Sequence, residues 1–206
     1  MSASSITAVI FDLGGVLIDW NPRYLYRKLI ADEAEMTRFL DTITTPDWNE
    51  EQDAGRSLAE GTALLAAQHP EHRELIEHFY GRWPEMLGGA IQGTVDILAE
   101  LRDAGNYTLY ALTNWSAETF PVAQQQFGFL SWFEGIVVSG TEKMRKPAPA
   151  FYQLLLTRYD LEPGQAVFID DNERNIRAAE ALGLHALLFQ TPEQLRQDLL
   201  ALGVLA

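Results

Sequence analysis

Short apolar runs alternate with helical patterns over most of the chain. The first run, residues 8–11, is uncharged and ends in β-branched and aromatic residues, which suits a central parallel strand covered on both faces. Stretches of helical period separate it from later runs at 107–112, 135–138, 166–169 and 184–189. Strands separated by helices of this length predict βαβ units and a parallel sheet.

A long block after the first strand lacks this alternation. Its apolar residues recur at helical spacing, which predicts helices over 23–30, 34–42, 57–68 and 71–80. Proline and glycine residues separate these helices. Asn21-Pro22 and the glycine-rich segment 88–93 flank the block and resemble two hinges. The pattern therefore predicts a helical insert of residues 20–90 in an α/β core of residues 1–19 and 91–206.

Composition narrows the functional class. The chain has 206 residues, a formal net charge of −14 and no cysteine. The negative charge argues against non-specific nucleic-acid binding and gives no attraction to an anionic membrane. The lack of cysteine excludes disulfides, thiolate nucleophiles and cysteine-bound zinc. The apolar run of residues 6–18 contains Asp12 and no basic segment precedes it, so we expect neither a signal peptide nor a membrane span, and a cytoplasmic location by default.

Polar residues follow three of the predicted strands: Asp12, then Thr113-Asn114, then Asp170-Asp171. Ligands of open parallel sheets bind beyond the carboxyl ends of strands. Three clustered carboxylates repel one another unless a cation lies among them, and oxygen ligands suit magnesium better than zinc or copper. Taken singly, Asp12 with its glycines also fits a turn, and the aspartate pair fits capping of the next helix.

Lys146 lies in a predicted loop and is followed by Pro147. A lysine in a rigid loop is suited to neutralise a phosphate beside a metal ion. The alternative is a solvated lysine next to Arg145.

The four motifs together resemble the haloacid dehalogenase-like hydrolase superfamily. They are Asp12 in FDLGGVLID, Thr113 in LYALTN, Lys146 in MRKPAPAFY and Asp170-Asp171 in VFIDDN, in the family's order and at compatible spacing. The resemblance covers the whole chain and implies a Rossmann-like core. It also implies that the helical insert is the family's mobile cap.

The resemblance also implies residue roles. Asp12 would be the nucleophile that forms an aspartyl-phosphate, Thr113 and the backbone after it at Asn114 would hold phosphate oxygens, and Lys146 would neutralise both groups. Asp12, the backbone carbonyl of Gly14 and Asp171 would bind Mg²⁺, assisted by Asp170. The expected activity is that of a Mg²⁺-dependent phosphatase acting on a small phosphorylated metabolite.

Gly14 departs from the pattern of most phosphatases of this family, which have a second aspartate at this position as general acid and base. Dehalogenases of the family also lack it, which makes a 2-haloacid dehalogenase the first alternative. A catalytically weakened protein that binds a phosphorylated metabolite or a partner protein is another. The start DLGGV, followed by Asp19 and Arg23, resembles bacterial sugar 1-phosphate phosphatases, whose leaving group is easier to expel.

Specificity is expected in the insert, where Trp48, Asp53 and Arg56 are candidates to face the substrate. Helix packing or a surface ion pair is the simpler explanation for each of them taken singly. Exposed tryptophans also fit a dimer contact, so the expected state is a monomer or a homodimer.

Overall fold

A computed structural model describes residues 5–206. Five parallel strands form one sheet in the order β5-β4-β1-β6-β7, and two antiparallel strands, β2 and β3, form a separate ribbon. The strands are β1 (Ala8–Phe11), β2 (Ile18–Trp20), β3 (Leu87–Ala90), β4 (Thr108–Thr113), β5 (Gly135–Val138), β6 (Ala166–Asp170) and β7 (His185–Leu188). The predicted α/β, Rossmann-like parallel sheet is confirmed.

Eleven α-helices lie in the described part of the chain. They are α1 (Arg23–Tyr26), α2 (Glu33–Thr42), α3 (Pro46–Asp53), α4 (Leu58–Gln68), α5 (Arg73–Gly81), α6 (Gln92–Ala104), α7 (Phe120–Gln126), α8 (Ser139–Glu142), α9 (Pro149–Arg158), α10 (Glu173–Ala181) and α11 (Pro192–Ala201). The first five follow β1 as the predicted helical insert. No helix among residues 5–206 is both long and apolar enough to cross a membrane.

The central strand β1 is buried on both faces, as its uncharged sequence predicts. Ala8 and Ile10 join one apolar cluster with α9 and α10, whereas Val9 and Phe11 join a second cluster with α6 and α11. This division follows from the two-residue period of a strand. The second cluster continues into the insert through residues such as Tyr26 and Phe79, so the insert shares its core with one face of the sheet.

The β2–β3 ribbon was not predicted from the sequence. Ile18 pairs with Ala90 and Asp19 with Gly89, so the two strands join the ends of the insert. Glycine is poor at forming strands, and the Leu87–Ala90 segment contains two glycines. Its sequence therefore does not indicate a strand. The ribbon lies where the insert was expected to begin and end. The division into units at 20 and 90 stays a prediction, and its first residues, 1–4, lie outside the described part.

Three helix predictions need correction. Helix α3 was missed because Pro46 looked like a break, whereas it occupies the first turn behind the cap Thr45, whose hydroxyl accepts from Trp48 N at 3.2 Å. The helix expected over 23–30 ends at Tyr26 and continues only as turns. The helix predicted between the apolar runs at 107–112 and 135–138 begins only at Phe120, and Ser116 Oγ accepts from Glu118 N in the preceding loop.

Candidate active site

The polar strand ends meet at one edge of the sheet. Asp12 directly follows β1, and its backbone N–H donates to the carbonyl of Ile169 in β6 at 2.8 Å. Thr113 closes β4 on the other side, and Asp170 closes β6. Because β1 lies between β4 and β6 in a parallel sheet, their carboxyl ends are adjacent. The structure therefore brings the three predicted strand ends together.

Lys146 enters this edge from the loop between α8 and α9. Its side chain is fully buried, and Nζ lies 2.9 Å from Asp12 Oδ2 and 2.6 Å from Asp170 Oδ2. Burial alone would lower the pKa of Lys146, but its attraction to Asp12 and Asp170 outweighs burial and raises the pKa above its usual value. Lys146 is therefore a fixed positive charge, and the solvated alternative is wrong.

Asp12, Asp170 and Asp171 form a carboxylate cluster whose ligand oxygens all lie within 4.8 Å of one another. Burial, opposed by Lys146 and reinforced by the two other aspartates, raises the pKa of Asp12 to about 7. Burial and Asp170 also raise the pKa of Asp171. Three carboxylates against one ammonium leave two negative charges, and oxygen ligands suit a hard divalent cation such as Mg²⁺.

Asp170 differs from its neighbours because nitrogen donors surround both of its oxygens. Oδ2 accepts from Lys146 Nζ at 2.6 Å, and Oδ1 accepts from Asn172 N at 2.8 Å. The amide of Asn175 lies 3.0 Å from each oxygen. Asp170 is completely buried, whereas Asp171 is exposed. The contacts suit Asp170 to orient Lys146 and leave Asp171 freer to bind an ion.

The two positions after Leu13, Gly14 and Gly15, differ in whether the fold requires glycine there. Gly15 has φ +74°, and a Cβ built there would lie 2.2 Å from Asp171 Oδ2, so only glycine allows the aspartate to approach. Gly14 has no such constraint, since a Cβ there meets nothing within 4 Å. The turn's hydrogen bonds use the carbonyls of Leu13 and Ile18, not that of Gly14.

Thr113 and Asn114 behave differently from each other. Thr113 is completely buried, and its hydroxyl has no hydrogen-bond partner among residues 5–206. Such a group costs stability unless a ligand or water meets it. The Asn114 side chain instead bonds the backbone of Lys146 twice, donating to its carbonyl at 3.0 Å and accepting from its N–H at 2.8 Å. Asn114 thus fixes the loop that delivers Lys146.

Two adjoining cavities, of about 230 Å³ and 390 Å³, open beside Asp12 and share Asn49, Asp53, Asn114 and Asp171 in their linings. Among the three candidates in the insert, Asp53 lines both cavities. Trp48 packs on Phe79 with ring centroids 5.0 Å apart, and Arg56 Nε donates to Gln52 at 2.6 Å. These two side chains therefore have packing roles within the insert.

Several site residues were missed in the sequence. Trp20, Tyr80, Trp83 and Trp115 line the smaller cavity, and Asn175 holds Asp170. Trp20 and Trp115 lie within a few residues of recognised motifs, and this closeness could have identified them as candidate site residues. The positions of Tyr80 and Trp83 depend on how the insert packs, and their helical spacing is also that of an ordinary core.

The comparison with protein families agrees with this geometry. A family model described as haloacid dehalogenase-like hydrolase matches residues 6–183. The chain belongs to this family of hydrolases.

Characterised relatives extend over most of the chain. A sesquiterpene phosphatase from Aspergillus oryzae is 29% identical over 185 residues, covering 89% of this chain and 90% of its own. A phosphoglycolate phosphatase from Vibrio vulnificus is 25% identical, covering 89% of this chain and 83% of its own.

Solved structures share the fold. An enzyme of this family from Bacteroides thetaiotaomicron, crystallised with magnesium and inorganic phosphate, has a TM-score of 0.67 at 22% identity and covers 91% of this chain and 96% of its own. The L-2-haloacid dehalogenase of Xanthobacter autotrophicus, with chloropropionic acid covalently bound, has a TM-score of 0.64 at 16% identity and covers 98% of this chain and 85% of its own. The fold is therefore shared with a protein that was crystallised with magnesium and inorganic phosphate and with a dehalogenase.

We predict that Asn114→Ala lowers the free energy of unfolding by about 2 kcal/mol, because it removes two hydrogen bonds and leaves the backbone groups of Lys146 unsatisfied. Urea unfolding measures the change, and hydrogen exchange should show faster exchange of the Lys146 amide. Asn106→Ala, at an exposed position, is the control and should change stability little. Equal unfolding curves and exchange rates for Asn114→Ala and wild type would contradict the positioning role.

Proposed function

We propose that the chain is a Mg²⁺-dependent phosphatase that hydrolyses a small phosphorylated metabolite through an aspartyl-phosphate at Asp12. The contact that carries this proposal joins Asp12 Oδ2 to the buried Nζ of Lys146 at 2.9 Å, beside the carboxylates of Asp170 and Asp171 and next to a cavity. This arrangement combines a nucleophile, a fixed positive charge and a set of oxygen ligands. The names of the two relatives as phosphatases support it.

In the proposed first step, a carboxylate oxygen of Asp12 attacks phosphorus and the bond to the leaving-group oxygen breaks. The ammonium of Lys146 stabilises negative charge on the nucleophile and on the phosphoryl oxygens without having to reorganise. The unpaired hydroxyl of Thr113 and the backbone N–H of Asn114 are the proposed donors to those oxygens. In the second step, water attacks phosphorus and releases Asp12 and phosphate.

The residues proposed to hold Mg²⁺ are Asp12, Asp171 and the carbonyl of Gly14, with Asp170 acting from the outer shell. Their donors are all oxygen, and the cluster leaves two uncompensated negative charges, so the residues fit the ion. When bound, Mg²⁺ supplies charge neutralisation for the phosphoryl group. The ion would also offset the repulsion from Asp170, which acts together with the larger effect of burial to raise the pKa of Asp171.

The cavities support a small, partly hydroxylated substrate. The larger one is lined by polar residues of the insert, among them Asn21, Arg23, Thr45 and Asn49, which suit hydroxyl groups. Trp20 borders both cavities and offers a flat apolar surface. A sugar phosphate fits this combination. Cytoplasmic location and a monomeric or homodimeric state stay predictions from the sequence.

A 2-haloacid dehalogenase is the second candidate, because Gly14 leaves the site without the usual proton donor and the solved dehalogenase shares the fold. The acidic pair Asp170-Asp171 favours the phosphatase, since the dehalogenase reaction needs no metal. A binding protein of weakened activity is the third. Phosphate release from an aryl phosphate with Mg²⁺ or EDTA, measured beside halide release from a haloacid, separates the three.

We predict that Asp12→Asn lowers Mg²⁺-dependent phosphate release by about 10³-fold or more, because the substitution removes the attacking oxygen. The protein should still fold, since Lys146 keeps Asp170 at 2.6 Å. The measurement is steady-state phosphate release, with thermal unfolding as the control for folding. A folded variant that keeps a tenth of wild-type turnover would rule out the covalent mechanism.

We predict that substitution of Asp171 chiefly weakens Mg²⁺ binding, whereas substitution of Asp170 chiefly lowers stability. Asp171→Asn should weaken Mg²⁺ binding strongly, without loss of stability in the metal-free protein, because it removes one of the repelling carboxylates. Asp170→Asn should lower the free energy of unfolding by about 3 kcal/mol, because the buried Lys146 loses a charged partner. Calorimetric Mg²⁺ titration and urea unfolding of both variants provide the test, and the reverse pattern would exchange the two roles.

A further inference from the structure

The proposed phosphatase reaction needs a proton for the leaving-group oxygen, and Gly14 cannot supply it. A Cβ at Gly14 meets nothing within 4 Å, so no protein atom takes the place of the first side-chain atom that glycine lacks. The described residues that line the cavities include other polar side chains, and several of them belong to the insert. One of them is a carboxylic acid at the end of α3.

Asp53 is the last residue of α3, and it lines both cavities together with Asp12. Its Oδ2 accepts a hydrogen bond from Asn49 Nδ2, one helical turn earlier, at 3.0 Å. Its side chain is partly exposed, unlike that of Gln52 beside it, which is fully buried. The carboxyl group is therefore both oriented and accessible from the cavity.

The end of α3 is fastened to the core of the molecule. Ser139 Oγ donates to the carbonyl of Asp53 at 2.5 Å and accepts from the N–H of Trp115, close behind Thr113, at 2.9 Å. Glu50 on the same helix pairs with Arg174 at 3.0 Å and with Arg145 at 3.4 Å. These contacts fix the position of the Asp53 carboxyl group relative to the loop that follows β4.

Asp53 has the protonation behaviour that an acid–base residue requires. Burial and the carboxylate of Glu50 raise the pKa of Asp53 to about 7, although the N–H of Ser116 and the charge of Arg145 lower it. The phenol of Tyr80, from α5, also interacts with the charge of Asp53. A carboxyl group that titrates near neutral pH can both donate and accept a proton there.

We propose that Asp53, from the helical insert, is the general acid and base that Gly14 cannot be; this inference rests on the proposed phosphatase function. As the Asp12–phosphorus bond forms and the ester P–O bond breaks, the Asp53 carboxyl proton passes to the leaving oxygen, which departs as an alcohol. In the second step a water oxygen bonds to phosphorus and the Asp12–phosphorus bond breaks. The proton of that water passes to the Asp53 carboxylate, which restores the starting state.

The test compares esters graded by the acidity of their leaving group, from activated aryl phosphates to simple alkyl phosphates, in wild type and Asp53→Asn with Mg²⁺. The variant should lose about 10²–10⁴-fold in kcat/KM with alkyl phosphates but little with activated aryl phosphates, which need no proton. In wild type, kcat/KM with alkyl phosphates should fall above pH 7, because Asp53 then loses the proton that it donates. In the variant this fall should be absent. Glu51→Gln removes a charge from the same helix at a residue paired with Arg145 at 3.5 Å, and it should match wild type.

A second variant places a proton donor at position 14 instead of position 53. A Cβ at position 14 meets nothing within 4 Å and the residue needs no left-handed backbone, so the double variant Asp53→Asn/Gly14→Asp should regain at least about tenfold with alkyl phosphates. Thermal unfolding midpoints confirm that all variants are folded.

Equal losses with all esters, or a double variant no better than Asp53→Asn, would overturn the role of Asp53 and leave the phosphatase intact. No phosphate release by wild type from any ester would overturn the proposed function as well.

Discussion

The rest of the site depends on the burial of Lys146 between Asp12 and Asp170. Removing an ammonium group from water costs several kcal/mol, and only close opposite charges offset that cost. The two carboxylates come from the ends of adjacent strands, so the contact requires β1 and β6 to be neighbours in register. Asn114 holds the loop that carries Lys146, and Asn175 holds Asp170. Each of these polar groups thereby has a partner, although the edge of the sheet where they lie is buried.

The same arrangement prepares the site for a charged ligand. Because Lys146 is already desolvated and fixed, its charge can act on a phosphoryl group without reorganisation. One ammonium cannot neutralise three carboxylates, so the cluster retains an affinity for a hard cation, and Asp171 stays exposed to bind it. The insert closes the other side through α3. In the proposed mechanism, the residues at the sheet edge carry out phosphoryl transfer, whereas the insert provides the proposed proton donor and is expected to choose the substrate.

The sheet and its polar edge could be predicted because polar residues interrupt the apolar run at the ends of three of its strands, at Asp12, Thr113 and Asp170. Only part of the role of Gly15 could be predicted from the sequence. A positive φ is a general property of glycine, but the close approach of Asp171 depends on the tertiary fold. The insert was harder to predict. Pro46 marks both breaks and helix starts, and the glycines of β3 conceal a strand.

Side-chain roles were predictable only where a motif fixed them. The backbone at Asn114 was expected to hold phosphate oxygens, and this stays a prediction. The role of the Asn114 side chain was not predicted, because its amide bonds the backbone of Lys146, 32 positions away. Asp53 was one of three equal candidates until the packing of α3 placed it beside the cavities while Trp48 and Arg56 turned to other partners. Such distinctions depend on which side of a helix meets the core, and residue type alone does not determine it.

The central claim is that Asp12 becomes phosphorylated during turnover. The most direct measurement is rapid quenching of a single turnover in acid with an activated aryl phosphate and Mg²⁺, followed by mass spectrometry of the peptide that contains Asp12. We predict one phosphoryl group on Asp12, formed and lost at rates that account for steady-state turnover. Phosphate release without this adduct, or an adduct on another residue, would contradict the account.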